Sequence, residues 1–77
     1  MYEHRLRALR EDRDLSQKQL ADLLKVHQTT YSDYEKGKVR IPIECLMELA
    51  KFYNVDMNYI TGASNIKSEY PKKEYNK

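Results

Sequence analysis

The chain has 77 residues, 40% hydrophobic and 34% charged, with one Cys, two Gly, two Pro and no Trp, which is room for one domain with a small core and too little for two. A lone Cys45 excludes an internal disulfide framework, no apolar run nears the ~20 residues of a membrane span, and the charged start "MYEHRLRALR" lacks the apolar stretch of a signal peptide, so a cytoplasmic protein with no membrane association is expected. The net charge of +2 is a property of the end of the chain: residues 63–77 hold four of the fourteen basic and two of the twelve acidic side chains, leaving ten of each in residues 1–62.

Leu6 and Leu9, with Tyr2 before and Arg13 after, fall at helical spacing and predict helix 1 over about 2–12. "LSQKQLADLL" then carries several start signals in agreement. Ser16 is a good N-cap, Gln19 completes a capping box, and Leu15 with Leu20 makes a hydrophobic staple. Helix 2 is expected over 17–24. "KVH" interrupts the pattern without Gly or Pro. Tyr31 and Tyr34 mark the inner stripe of helix 3, about 28–36, ended by Gly37. Its other side chains (Gln28, Thr29, Ser32, Asp33 and Lys36) point away and form a short-chained, hydrogen-bonding face.

"KVRIP" is a basic loop, and Pro42 sits at the entrance of helix 4, about 42–53. There Ile43, Leu46, Met47 and Ala50 mark an apolar stripe widened by Leu49, Phe52 and Tyr53. Asp56 can cap a last short helix, 57–61, closed by Gly62. Residues 63–77 alternate in charge around Pro71 and are expected as a flexible tail, with Ile66, Tyr70 and Tyr75 as its handholds. Neither strand signals nor internal repeats occur, so the fold class is all-α.

Catalytic constellations are missing. His4 and His27 lie on different helices at no metal-ligand spacing, Cys45 has no Cys partner, and two glycines at helix ends cannot build a phosphate loop. Cys45 reads as a small packed or half-exposed side chain beside the core stripe. His27 reads as a polar cap residue. An enzyme is not expected, and no metal or cofactor is implied.

Two short helices joined by a tight turn, the second polar on its outer face, make a helix-turn-helix, in which the second helix enters the DNA major groove. "LSQKQLADLLKVHQTTYSDYEKGKVRIPIECLMELAKFYNVDMNYITG" resembles the phage-repressor and Cro-like (Xre) helix-turn-helix regulators, over nearly all of residues 4–62. Leu20-Ala21 matches the family's Leu-Ala, whose small residue lets the two helices approach. Gln17, "YEKGK" and the stretch from Pro42 to Gly62 match in order. The resemblance implies a compact five-helix bundle of the lambda-repressor-like DNA-binding type over residues 1–62.

It also implies roles. Gln28, Thr29 and Asp33 stand at base-reading positions, with Ser32 as an additional candidate. A Gln amide can pair bidentately with adenine, Thr29 can bond a base or set its methyl against thymine, and Asp33 could accept from cytosine N4. Without that contact, the Asp33 carboxylate costs affinity near phosphates. Gln17, Lys36, Lys38 and Arg40 match phosphate-contacting positions, with Lys18 beside them. Arg10 and Glu35 match a partly buried ion pair. Two positions depart from the family pattern. Lys25 stands where Gly is common, implying either a left-handed non-Gly residue or a different turn. Tyr31 replaces a usual Ile or Val, and its hydroxyl needs a partner.

The expected protein is a bacterial or phage transcriptional regulator, more readily a repressor, bound as a homodimer to a palindromic operator in double-stranded DNA. Phe52, Met57 and Ile60 are the dimer candidates. The alternative is an antitoxin or accessory module whose main partner is a protein. Neutral domain charge and Asp33 speak for that alternative, whereas the phosphate-directed groups of "QKQ" and "KGKVR" speak against it.

Overall fold

The computed structural model describes residues 2–71, with side chains from Arg5 onward. Five helices follow in order: α1 (Tyr2–Asp12), α2 (Gln17–Leu24), α3 (Gln28–Lys36), α4 (Ile43–Tyr53) and α5 (Met57–Ile60). The described residues contain no strand. The side chains of Tyr2 and His4 and the handhold Tyr75 lie outside what is described.

Local chemistry sets the boundaries. At the start of α2 the Ser16 hydroxyl accepts from the Gln19 amide at 3.0 Å, while the Gln19 side chain accepts from the Ser16 amide at 2.7 Å. Both bonds satisfy amides that a helix start leaves without partners. Asp56 caps α5 in the same sense, accepting from the Tyr59 amide at 2.8 Å. Pro42 is the N-cap of α4, so the helix begins at Ile43, one residue later than expected. His27 occupies the N-cap of α3 but makes no side-chain cap bond.

The exits of the first four helices share one device. Asp14, Lys25, Gly37 and Asn54 all take positive φ, at 55°, 61°, 76° and 56°. In each case the next amide turns back to a carbonyl five residues earlier, as Val26 does to Ala21 at 3.0 Å and Lys38 to Asp33 at 3.0 Å. Of the two alternatives for Lys25, the turn therefore uses a left-handed non-Gly residue. Gly37 is the one exit where the left-handed conformation carries no Cβ penalty.

The core gathers one stripe from every helix. Leu6 and Leu9 of α1, Leu20 and Ala21 of α2, Tyr31 and Tyr34 of α3, four residues of α4 and Ile60 of α5 are buried together with Ile41 and Val55. On α4 the buried set is Leu46, Leu49, Ala50 and Tyr53. Ile43 and Met47, expected on that stripe, are instead 56% and 38% exposed. A helix apolar nearly all round has no unique inner face in its sequence, and the neighbouring helices choose it. Ile60 is also corrected: it is fully buried within its own chain, so its side chain is not available to a dimer partner. Phe52 is 41% exposed, and Met57 is half-buried against the core.

Residues 63–71 return along the bundle. Arg5 of α1 donates to the Tyr59 and Ser64 carbonyls at 2.9 and 3.3 Å and to Asn65 Oδ1 at 3.1 Å, with its guanidinium 4.0 Å from the centre of the Tyr59 ring. Further on, the Ser68 carbonyl accepts from the Asp56 amide at 2.8 Å, and the Tyr70 amide donates to Asn54 Oδ1 at 3.3 Å. Tyr70 packs against the core edge.

Candidate nucleic-acid interface

Helix α3 has two faces of opposite character. Tyr31 and Tyr34 point inward, are 0% and 4% exposed, and meet edge to face with ring centres 6.4 Å apart. Their three-residue spacing places Gln28, Thr29, Ser32, Asp33 and Lys36 on the remaining surface. Gln28, Thr29 and Lys36 are exposed, while Ser32 and Asp33 are half-buried. Among the described residues, no hydrogen bond or ion pair engages these five side chains. The polar face is uncommitted.

α2 holds this face from behind. Leu20 and Ala21 are each 1% exposed, and at Ala21 the methyl-sized side chain permits close helix approach. Residues 25–27, with Lys25 left-handed, join the two helices, which pack against each other as a helix-turn-helix unit.

Positive charge gathers at the C-terminal end of the face. Lys36 closes α3, and Lys38 and Arg40 follow in the exposed loop, with no ion pair among the described residues. On the first turn of α2, Lys18 is exposed and reaches Asp22 at 3.2 Å across one turn. Such an exposed pair stabilises little, about 0–1 kcal/mol, and exchanges readily for another anion. Gln17 is half-buried and donates to Glu35 Oε1 at 3.2 Å. Its amide is thus already engaged within the chain.

That bond belongs to the network under the site. Arg10 grips Glu35 with two bonds, Nε to Oε2 at 2.7 Å and Nη2 to Oε1 at 3.2 Å, and its third nitrogen donates to the Leu15 carbonyl at 3.0 Å. The Glu35 side chain is 4% exposed and therefore cannot read bases. Burial alone would raise its carboxyl, but hydrogen bonding, led by Arg10, outweighs burial and holds it below the usual range. Hydrogen bonding to Glu35 raises the Arg10 guanidinium in turn. The hydroxyl of Tyr31 lies beside the same carboxylate yet, with that of Tyr53, is buried without a hydrogen bond of good geometry. Burial first, then the Glu35 charge, pushes both phenols upward, Tyr53 to about 12.

The arrangement is a two-helix unit that presents an unengaged donor and acceptor surface beside a cationic loop, pinned at its base by a buried ion pair. The helix-turn-helix family model matches residues 6–60, which is every helix from the core of α1 to the end of α5. The chain belongs to the phage-repressor-like helix-turn-helix family. The match covers both α3 and the network that fixes it.

Two relatives are similar over most of this chain. The chain is 42% identical over 64 residues to the cryptic phage CTXphi transcriptional repressor RstR of Vibrio cholerae, covering 83% of this chain and 58% of that protein. It is 35% identical over 65 residues to YobD of Bacillus subtilis (strain 168), an uncharacterized HTH-type transcriptional regulator, covering 84% and 58%. The chain thus spans under three-fifths of the length of these relatives. No solved structure gives a significant match.

Sequence reasoning missed Arg5. Its partners Tyr59, Ser64 and Asn65 lie 54 to 60 residues away, and nothing local distinguishes it from the other arginines of α1. Arg13, expected only to follow helix 1, donates to the Tyr53 carbonyl at 3.1 Å and lies over the Tyr53 ring. No helix of the described residues is long and apolar enough to cross a membrane.

Proposed function

We propose that the chain is a sequence-specific transcriptional regulator, acting as a repressor, that places α3 in the major groove of a palindromic DNA operator as a homodimer. The observation that carries this is the outer face of α3. Its five polar side chains have no partners among the described residues, on a helix otherwise fixed by core tyrosines and a buried ion pair.

In this reading Gln28 pairs with an adenine edge and Thr29 with a neighbouring base or thymine methyl. Ser32 and Asp33 face the next base pairs, and the Asp33 carboxylate favours a cytosine amino group. Lys36, Lys38, Arg40 and Lys18 meet phosphates, which position the helix without selecting sequence. Gln17 reaches a phosphate while its amide continues to brace Glu35. Exposed Phe52 and half-buried Met57 support a dimer contact near α4 and α5.

Selection of bound duplexes from a random pool tests the proposal. A symmetric site whose affinity falls steeply with salt is expected. Failure to enrich any duplex at low salt would contradict it and leave α3 as a protein-docking face.

A further inference from the structure

The segment Ile66–Tyr70 has no helix or turn. The Ser68 carbonyl and the Tyr70 amide both bond the body of the domain, at Asp56 and Asn54. The Ile66 amide is held locally by Ser64 Oγ at 3.0 Å, at the exposed start of the segment. The two inward groups, on Ser68 and Tyr70, are two residues apart, the period that an extended chain imposes. It leaves the amides and carbonyls of Lys67 and Glu69 on the opposite, outward edge. Among the described residues no hydrogen bond reaches them. The side chains of Ile66, Lys67, Ser68 and Glu69 are exposed, and Ile66, at 73%, is the most exposed large apolar residue of those described.

We infer that this edge is an interface for a second copy of the same chain, paired antiparallel about a two-fold axis through Ser68. The register follows from the sequence "IKSEY". With Ser68 facing its counterpart, Lys67 of each copy stands opposite Glu69 of the other, and Ile66 opposite Tyr70. The outward groups of Lys67 and Glu69 are then the ones that exchange hydrogen bonds, because directly opposed residues in an antiparallel pair alternate between bonded and non-bonded pairs. Backbone edge, charge order and apolar order all agree on that one register. A shift by one residue would turn the bonding groups inward. Opposite charges in cross-strand pairs attract, and like charges repel. The exposed Ile66 gains cover from Tyr70 of the second copy, which is itself seated on the core edge.

This assigns a contact to the homodimer of the proposed function and rests on that reading only for its purpose at the operator. The test is therefore made without DNA, by sedimentation equilibrium of the full chain at low salt. Lys67→Glu and Glu69→Lys should each weaken self-association about tenfold by setting like charges opposite one another in both symmetric pairs. An equimolar mixture of the two single variants, and the double charge swap within one chain, should both restore it. Ser68→Cys in a Cys45→Ser background should form a disulfide-linked dimer on mild oxidation, since non-bonded pairs place Cα atoms ~4.5 Å apart, within disulfide reach.

Equal association of all four charge forms, or no association with Ser68→Cys remaining monomeric, would overturn the inference. In that event duplex selection that still returns a symmetric site leaves the operator reading intact and moves the dimer contact elsewhere. The predicted association pattern without any enriched duplex would uphold the interface and sink the operator reading.

Discussion

Arg10 and Glu35, twenty-five residues apart in sequence, are joined by a two-pronged ion pair that ties α1 to the last turn of α3. The pair is shielded, with side-chain exposures of 14% and 4%. It lies directly beneath the helix whose outer face is left free. The same carboxylate also receives the Gln17 amide from α2. Three helices therefore converge on one buried charge, and the orientation of α3 depends on it.

Removing one partner strands the other. Arg10→Met should destabilise the fold by about 3 kcal/mol, because Glu35 would keep a buried charge without its cation. The double variant Arg10→Met with Glu35→Leu should lose less than either single change, since shielded pairs are often replaceable by apolar groups. Urea unfolding of the four proteins gives the coupling directly. Additive losses would show that the pair is not a unit.

The same carboxylate sets an acid limb. Its folded value lies below the ordinary 4.5, so above that value the fold gains stability from its ionised form. As pH falls below 4.5 the unfolded chain binds the proton first, and the gain is lost progressively through the lower folded value. Stability followed by urea midpoint should fall on acidification, and Glu35→Gln should show a shallower fall from a lower starting point.

At Lys25 the chain holds a left-handed conformation on a residue with a Cβ. Lys25→Gly should remove about 1–2 kcal/mol of steric cost while lowering stability by about 0.4–1 kcal/mol through the freer unfolded chain. A net gain near 0.5 kcal/mol in thermal or urea unfolding is expected. A loss above about 1 kcal/mol would mean that the lysine stem contributes contacts of its own.

Tyr53 carries a buried hydroxyl without a hydrogen bond. Tyr53→Phe keeps the ring that Phe52 and Arg13 contact and removes the unpaired group, so it should stabilise by about 1 kcal/mol. Destabilisation of that size would reveal a partner, such as an internal water, that the hydroxyl holds.

Much of this was legible before the structure. The capping box at Ser16, the tyrosine pair of α3 and the terminator at Gly37 are local signals, and each lies where its chemistry demands. α4 shows where such signals end. With Ile, Cys, Leu, Met, Leu, Ala, Phe and Tyr spread around one helix, periodicity cannot say that Ile43 and Met47 stay outside while Leu49 is fully buried. Ile60 sits on a helix of four residues, too short for any period, and its burial is decided by α1 and α4. The return of residues 63–71 depends on Arg5 and Asn54, contacts made only once the bundle exists. The polar face of α3 was visible as composition, but its lack of internal partners could be seen only in three dimensions.

Phosphate contacts and base contacts separate by salt. Lys36→Ala, Lys38→Ala and Arg40→Ala should each weaken binding to all duplexes alike and reduce the salt slope by about 1. A change of sequence preference instead would move that residue to the base-reading set.

The most direct measurement is duplex selection carried out in parallel with the unaltered chain and with Gln28→Ala. The side chain is exposed, so the variant should fold unchanged, which far-ultraviolet circular dichroism can verify. The account predicts a symmetric site from the unaltered chain and loss of preference at one base of each half-site from the variant, with the other positions kept and about 1–3 kcal/mol of discrimination lost. Identical preferences from the two proteins would contradict the assignment of the α3 outer face as the reader of DNA.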